Sequence, residues 1–438
     1  MEYISIVMVL VLIVCFFIGY PIAFVLGGIA VFFGTFVAGF DILSLLPLRI
    51  WGRVNNLILT SVPMFILMGI ALDRAKISED LINTLGILLK RVKGGLPLSL
   101  LFVGAILAAT TGIVGAIVVT MTSIAMPGML KQGYKPSMAS GTICAVGTLA
   151  QIIPPSIILV LLGDILKVSV GELFAGAILP GLLLVLLYGL YIFFESWVHP
   201  PLIDPKTLGD TTEQLKQSLW MLSLKTLFPP LIIILSVLGT IFAGIASPTE
   251  AAAVGAFGAL LIGFIKKRLD YKTVKDIIVA TTRLNSMVFL ILIGATAFGL
   301  VFRMIGGDTV ISSMFVGLDI GKYGVLTIIM LIIFIMGFFL DVLEIIFIMV
   351  PILAPVVINL GFDPLWICIL IAVNLQTAFL TPPMGFAIFY LKAASPPEVK
   401  TVDIYLGVIP YIILQLIGLA SLIVFPQIAT WLPSVMFK

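Results

Sequence analysis

The chain has 438 residues, of which 61% are hydrophobic and only 10% are Asp, Glu, Lys or Arg. Soluble domains are roughly 45–50% apolar, so this composition excludes an ordinary soluble protein and predicts a membrane protein. The formal charge of +3 excludes a strongly basic nucleic-acid-binding surface. Three separated cysteines and one histidine, His199, supply neither a disulfide framework nor a zinc or haem ligand set.

Apolar runs bounded by charges, Pro or Gly predict about a dozen membrane segments, because a bilayer core takes about 20 helical residues. The first run has no basic residues before it and no small-residue cleavage site after it, so we expect it to stay in the mature chain. In chain order the predicted segments are 4–18, 22–40, 57–72, 96–126, 138–162, 173–194, 227–246, 250–265, 286–305, 325–352, 365–391 and 405–432.

Two of these runs, 96–126 and 325–352, are too long for one crossing and too short for two. Each predicts a re-entrant hairpin. Lys93 and Lys131 flank the first hairpin, and the positive-inside rule puts both flanks in the cytoplasm. The flanks of the second hairpin lack this basic bias, so the two hairpins are predicted to enter from opposite sides. Arg53 then falls outside, against the rule, and the side of the N-terminus stays open.

The longest polar interval, 195–225, divides the chain near its midpoint and is predicted to link two halves. We place the first half at 1–205 and the second at 206–438. Each half is predicted to hold scaffold helices, an arm, a hairpin and a broken helix. The interval 73–95 mixes charges with apolar residues at helical spacing, which indicates an arm lying on the membrane surface.

An internal repeat relates the two halves. Ser61–Gly69 matches Ser286–Gly294, and Gly112 matches Gly337 at the same offset. Because the first matched segment is predicted to run inward and the second outward, the repeat is an inverted one. Inverted repeats are typical of secondary transporters, which bind substrate and coupling ions near the midplane at broken helices.

Double prolines predict where the helices break. Pro154–Pro155 lies inside 138–162, and Pro382–Pro383 lies inside 365–391. Each proline removes an N–H and clashes with the preceding turn, so carbonyl oxygens lose their helical partners. Such oxygens are tolerated at membrane depth only inside protein or beside a cavity, where they can bind an alkali cation. The alternative is a pair of structural kinks in which Ser or Thr hydroxyls satisfy the carbonyls.

Asp341 and Glu344 are the acids inside the second hairpin. An ionisable group at membrane depth costs at least ~2.5–3.5 kcal/mol, so Asp341, at the expected tip, is a binding candidate. The alternative is that its carboxylate caps backbone N–H groups of the tip. Elsewhere, Ser169 with Glu172 and Ser247 with Glu250 have the spacing of capping boxes.

Eight segments spread over nearly the whole chain carry a family resemblance: Thr110–Ala116, Met126–Tyr134, Gly147–Ser156, Phe174–Gly181, Thr249–Ala252, Gly337–Asp341, Gly361–Pro364 and Thr381–Gly385. Together they resemble the large membrane subunit (DctM type, M) of tripartite ATP-independent periplasmic (TRAP) transporters. The first hairpin tip reads Thr-Thr-Gly-Ile-Val-Gly, where many family members have Gly-Ser-Ser or Gly-Ser-Gly-Ser.

The resemblance implies an all-α polytopic protein of the elevator type in a bacterial inner membrane. It implies a sodium symporter that imports an organic anion, a carboxylate or keto acid. The implied partners are a small membrane subunit (Q type) and a periplasmic substrate-binding protein (P type). By position, the implied sodium ligands are Gly112, Ala150, Ile153 and Ser156 at one site, and Gly337, Ala378, Thr381 and Met384 at the other. The substrate contacts are expected to be Thr111, Ser156 and Asp341.

Three alternatives differ in what they require. A stand-alone sodium/dicarboxylate carrier of related fold would transport without a binding protein. An intramembrane enzyme would need clustered catalytic carboxylates or a metal set, which Asp341 and Glu344 alone do not make, so we expect no enzymatic activity. A passive channel would conduct without sodium and has no need of inverted hairpins.

Overall fold

The computed structural model describes residues 2–89, 92–200, 212–316 and 320–437, and every regular element within these ranges is helical. Part of the predicted linker, residues 201–211, lies outside them. Up to residue 200 the described chain forms ten α-helices: α1 (Glu2–Ile18), α2 (Ile22–Ala38), α3 (Ile42–Val54), α4 (Ser61–Arg74), α5 (Ile77–Leu88), α6 (Gly95–Thr111), α7 (Val114–Lys131), α8 (Pro136–Thr148), α9 (Ile157–Leu166) and α10 (Val170–Val198).

The rest of the described chain forms another ten: α11 (Thr212–Phe242), α12 (Pro248–Ile265), α13 (Tyr271–Met304), α14 (Gly307–Val316), α15 (Gly321–Met336), α16 (Val342–Asn359), α17 (Pro364–Leu380), α18 (Phe386–Ala394), α19 (Thr401–Val424) and α20 (Gln427–Met436). Eight helical segments of the described residues are long and apolar enough to cross a membrane. The chain is therefore a multi-pass membrane protein.

Each predicted hairpin consists of two helices. Gly112 and Ile113 separate α6 from α7, and residues 337–341 separate α15 from α16. Each predicted broken helix is also two helices, because a 3-10 turn (Leu149–Gln151) and residues 152–156 divide α8 from α9, and residues 381–385 divide α17 from α18. The positions of Gly and Pro therefore predicted these four interruptions correctly.

Several predicted boundaries were wrong. The polar interval 195–225 is mostly helical where it is described, since α10 continues to Val198 and α11 begins at Thr212. The helix predicted at 286–305 begins at Tyr271, and the run 405–432 is two helices, α19 and α20. Neither α3 nor α14 was predicted. Hydropathy marks where a helix is apolar, whereas charged turns extend the same helix without interrupting its hydrogen bonds.

The capping predictions have different outcomes. Ser247 and Glu250 form the predicted capping box at the start of α12, where the Ser247 N–H donates to Glu250 Oε2 at 2.7 Å. Ser169 precedes α10, but its side chain makes no capping hydrogen bond, so that prediction was wrong. The spacing of a capping box permits the bond and does not enforce the side-chain rotamer that makes it.

Helices of the first half pack along helices of the second half. In one pair of contacts, α4 packs along α12 and α13 packs along α2; in another, α8 packs along α19 and α10 along α17. Where α8 crosses α19, Gly141 and Gly407 allow the two backbones to approach closely. A Cβ atom on Gly141 would lie 1.9 Å from the Gly407 carbonyl oxygen. Small residues permit such close approach between membrane helices.

We expect Gly141→Ala to lower the melting temperature of the purified protein in detergent. The added methyl group meets backbone that cannot rotate away, and such overpacking costs about 1–3 kcal/mol. Gly28→Ala is the matched control, because a Cβ on Gly28 meets no atom within 4 Å. The control is expected to keep its melting temperature or to raise it, since Ala favours helix. Equal stability of the two variants would contradict the close crossing.

The arm helix α5 is anchored to the end of α12 by charge. Asp80 lies 2.7 Å from Lys266 Nζ and 2.9 Å from Arg268 Nη1. Burial acts to raise the pKa of Asp80, but hydrogen bonds from Arg268 and Lys266 outweigh it, so the pKa lies below its usual 3.8.

This ion pair predicts a pH-dependent stability. Because the folded pKa of Asp80 is depressed, its contribution is present above the unfolded value of about 4 and is lost as pH falls through the folded pKa. Asp80→Asn should therefore lower the melting temperature near neutral pH, and the difference from wild type should shrink below about pH 4. Glu79→Gln, at a neighbouring position for which the structure describes no ion pair, is the control. A pH-independent difference would rule out the charge effect.

Candidate functional site

The tip of each hairpin touches one helix break. Gly112 ends α6 with φ of 61°, a conformation that favours glycine, and a Cβ there would lie 3.4 Å from the Ile157 side chain at the start of α9. A Cβ on Gly337 would lie 2.5 Å from the Cβ of Ala378, in the last turn of α17. Each tip therefore packs against the broken helix of its own half.

Side-chain hydroxyls donate hydrogen bonds to two of the carbonyl oxygens that the breaks leave without a helical partner. The Ser156 hydroxyl donates to the carbonyl of Gln151 at 2.9 Å, and the Thr381 hydroxyl donates to the carbonyl of Thr377 at 2.7 Å. The alternative interpretation of the double prolines, in which Ser or Thr satisfies freed carbonyls, is therefore confirmed for these two groups. Both double prolines contain a cis peptide bond.

A cavity of about 140 Å³ lies where the two tips, α4 and α13 meet. Gly112 and Ile113 line it from the first tip, Asp341 lines it from the second, and Ile157 and Tyr390 line it from the two broken helices. Both halves of the chain thus contribute to the lining of one cavity. The first residues of α9 line the cavity, whereas α18 reaches it with Tyr390, inside the helix.

Only one of the three expected substrate contacts lines the cavity. Asp341 lines the cavity, whereas Thr111 and Ser156 are not among its lining residues. Both hydroxyls are turned into their own segments: that of Thr111 donates to the carbonyl of Leu107 at 2.9 Å, and that of Ser156 is bonded as above. Phe379 and Tyr390 line the cavity and were not predicted. In the sequence, the one local feature that marks them is that they are aromatic residues on either side of the same double proline.

The expected sodium ligands fall into two groups, each on one tip and one break: Gly112, Ala150, Ile153 and Ser156 in the first half, and Gly337, Ala378, Thr381 and Met384 in the second. Ala150 and Ala378 are fully buried, while Met384 is 45% exposed. Within the described ranges no cluster of three or more His, Cys, Asp or Glu side chains could hold a metal ion. A cation here would be bound by backbone carbonyl oxygens and hydroxyls.

Asp341 also begins a helix. It is the N-cap residue of α16, its N–H donates to Glu344 Oε2 at 3.1 Å, and the two residues form a capping box. The capping interpretation of Asp341 is confirmed, and the same residue faces the cavity. One carboxyl group therefore fixes the tip and supplies the acidic group of the lining.

An ion pair joins the end of α3 to the first broken helix. Asp164, on α9, has no exposed side-chain area and lies 2.8 Å from Arg53 Nη1 and 3.3 Å from Lys167 Nζ. The Asn56 side chain also donates to this carboxylate. Sequence reasoning missed Asp164 and left Arg53 in conflict with the positive-inside rule. The buried partner explains why an arginine stands there.

A polar network lies behind the breaks, where α8, α10, α17 and α19 meet. The Thr148 hydroxyl accepts hydrogen bonds from Gln376 Nε2 at 3.4 Å and from Gln415 Nε2 at 3.2 Å, and Gln376 Nε2 also lies 3.4 Å from the Tyr188 hydroxyl. All four side chains are fully buried. The network ties the broken helix of the first half to helices of the second.

A family model described as tripartite ATP-independent periplasmic transporter, DctM component, matches residues 9–428. The chain therefore belongs to the DctM component family of tripartite ATP-independent periplasmic transporters.

Named relatives agree with this assignment. The chain is 30% identical over 437 residues to the ectoine TRAP transporter large permease protein TeaC of Halomonas elongata, covering 99% of each chain. It is 27% identical to the C4-dicarboxylate TRAP transporter large permease protein DctM of Pseudomonas aeruginosa, covering 90% of each. It is 29% identical to the isethionate TRAP transporter permease protein DctMQ of Oleidesulfovibrio alaskensis, and it spans 63% of that protein's length. All three relatives are transporter permeases.

A solved structure shares the fold. The YdaH transporter of Alcanivorax borkumensis aligns with a TM-score of 0.62 over 90% of each chain, at 14% sequence identity. At that identity the likeness concerns the fold alone.

Substitutions of Asp341 separate its two roles. Asn keeps an N-capping oxygen and removes the charge, whereas Ala removes both and should cost about 0.5–2 kcal/mol of stability. If the charge serves the cavity, Asp341→Asn should melt like wild type and lose uptake in reconstituted vesicles. Asp341→Ala should lose both stability and uptake. Full uptake by Asp341→Asn would leave Asp341 with the capping role alone.

Proposed function

We propose that the chain is the large permease subunit of a sodium-coupled secondary transporter that imports an organic anion. The observation that carries the proposal is one cavity lined by residues of two hairpin tips and two broken helices, one of each from either half. A cavity shared between repeats, next to unpaired backbone, is where secondary transporters bind substrate and coupling ions. The substrate is a carboxylate or keto acid.

The packing pattern supports an inverted repeat that works as an elevator. Each half supplies a helix that packs along a helix of the other half, as in the pairs α4 with α12 and α13 with α2. In this proposal those four helices form the scaffold, and the hairpins and broken helices move against it. The Arg53–Asp164 ion pair joins a segment next to the scaffold to α9, so it breaks and reforms during each cycle.

Sodium coupling is supported by the chemistry of the breaks. Sodium is a hard cation that prefers oxygen ligands, and the 3-10 turn after α8 and the last turn of α17 present carbonyl oxygens that no further helical turn can satisfy. The tips at Gly112 and Gly337 add backbone close to these turns. We assign one sodium ion to each pairing of tip and break.

The family description, a component of a tripartite periplasmic transporter, supports two partners. We propose a small membrane subunit of the Q type and a periplasmic binding protein of the P type that delivers the anion. This arrangement places the chain in a bacterial inner membrane. The binding protein, rather than this chain alone, then makes the first selection among anions.

Uptake into proteoliposomes tests the proposal. The permease, reconstituted with the proposed small subunit and binding protein, is given labelled 4-methyl-2-oxopentanoate, 4-methylpentanoate and succinate with and without an inward sodium gradient. We expect uptake of at least one probe to require both the gradient and the binding protein. Uptake that needs sodium and no binding protein would favour a stand-alone carrier, and uptake indifferent to both would overturn the proposal.

A matched pair of hydroxyl variants tests the second sodium site. Removing the Thr381 hydroxyl deletes one oxygen near the break, so Thr381→Ala should raise the sodium concentration for half-maximal uptake by about tenfold. Ser395→Ala is the control, because the Ser395 hydroxyl also donates to its own helix, at 2.7 Å from the Leu391 carbonyl, and lies at the end of α18. Equal sodium dependence of the two variants would remove Thr381 from the site.

A further inference from the structure

The lining of the cavity between the hairpin tips is chemically uneven. Ile113, Val114, Ile157, Val342 and Phe379 give it aliphatic and aromatic walls on the side of the hairpins and broken helices. The helices α4 and α13 close the other side, again with aliphatic side chains and a methionine. A bound molecule would therefore lie with most of its surface against carbon.

Polar side chains reach this cavity at two positions. Asp341 supplies a carboxyl group and Tyr390 supplies a phenol, and the described residues that line the space include no Lys, Arg or His. Asp341 is engaged in its capping box with Glu344. An anionic group far from the tips would therefore have no cationic side chain to pair with, and leaving it unpaired at membrane depth is costly.

One end of the cavity can still receive a negative charge. Gly112 lines the cavity at the first tip, next to the proposed sodium ligands. The helices α7 and α9 also begin at the lining, with Ile113 and Ser156 as N-cap residues that make no side-chain capping bond. Their first N–H groups and a coupling cation favour one carboxylate at this end, and the opposite wall is apolar.

The volume of the cavity indicates the size of the apolar group that it can hold. An apolar cavity of about 150 Å³ holds benzene, and this cavity measures about 140 Å³. A branched aliphatic chain or one aromatic ring fits that space. A sugar acid carrying many hydroxyl groups would leave those groups against apolar walls without hydrogen bonds.

We propose, building on the proposed function, that this site takes a small monocarboxylate with a branched aliphatic or aromatic body and discriminates against dicarboxylates. The carboxylate lies at the Gly112 end, and the apolar body lies against Val342 and Phe379. The permease thus adds a selection step of its own to that of the binding protein.

Direct binding to the purified permease tests this class. Melting temperatures are measured in sodium chloride with 4-methylpentanoate, with succinate, which has the same number of non-hydrogen atoms, and with the neutral 4-methylpentanamide. A ligand that binds the folded state raises the melting temperature according to its affinity. We expect 4-methylpentanoate to stabilise the protein, and succinate and the amide to have apparent dissociation constants at least about tenfold higher.

A cation added to the apolar wall should change the preference. Leu284 is half-buried on α13 and lines the cavity, so Leu284→Arg should strengthen succinate binding by about tenfold or more. Ile278→Arg is the matched control, because Ile278 lies on the same helix, is 57% exposed and is not among the lining residues. The control should keep the wild-type preference.

The outcomes separate this inference from the proposed function. Stabilisation of the wild type by succinate or the amide as strong as that by 4-methylpentanoate, or stabilisation by none of the three, would overturn the monocarboxylate class. Leu284→Arg that binds succinate no better than Ile278→Arg would overturn the placement of the apolar body. These measurements need neither the binding protein nor a gradient, so they can fail while sodium-driven uptake succeeds, and the reverse.

Discussion

The backbone at the two helix breaks is the constraint on which the rest of this structure depends. Inside a bilayer no water is present to satisfy a carbonyl, so an interrupted helix is stable only where protein or a bound ion supplies partners. Here the Ser156 and Thr381 hydroxyls each satisfy one carbonyl, and a hairpin tip covers each break. The remaining oxygens are the basis of the proposed cation sites, and residues from both tips and both broken helices line one cavity.

The sequence predicted the parts of this arrangement that depend on local chemistry. Glycine, proline and run length indicated both hairpins and both breaks, because these residues change the backbone wherever they stand. Which side of a helix faces the cavity depends on the packing of the opposite half, and no local pattern encodes it. Thr111 and Ser156 were therefore expected to contact substrate, yet their hydroxyls bond their own segments, while Tyr390 was overlooked.

Charged residues also helped to predict the topology, but they misled where the charge is paired or capped within the protein. The positive-inside rule describes solvated lysines and arginines near a membrane surface. Arg53, which the predicted topology places against the rule, has its guanidinium bound to the buried Asp164. Asp341 shows the converse: an acid at membrane depth suggests binding, and here the capping box with Glu344 already accounts for its presence. A function for Asp341 must therefore be carried by its charge in addition to its cap.

The interlocked halves also determine the order in which the chain can mature. Thr142 and Thr148 on α8 find side-chain partners in Tyr411 and Gln415, which lie 269 and 267 residues further along. At a synthesis rate of about 5–20 residues per second, α8 waits roughly 15–55 s in the membrane before α19 is made. Both hydroxyls can meanwhile donate to carbonyls of their own helix, those of Met138 and Ala145. The first half therefore enters the bilayer as a provisional structure, and its core closes only after α19 has been synthesised.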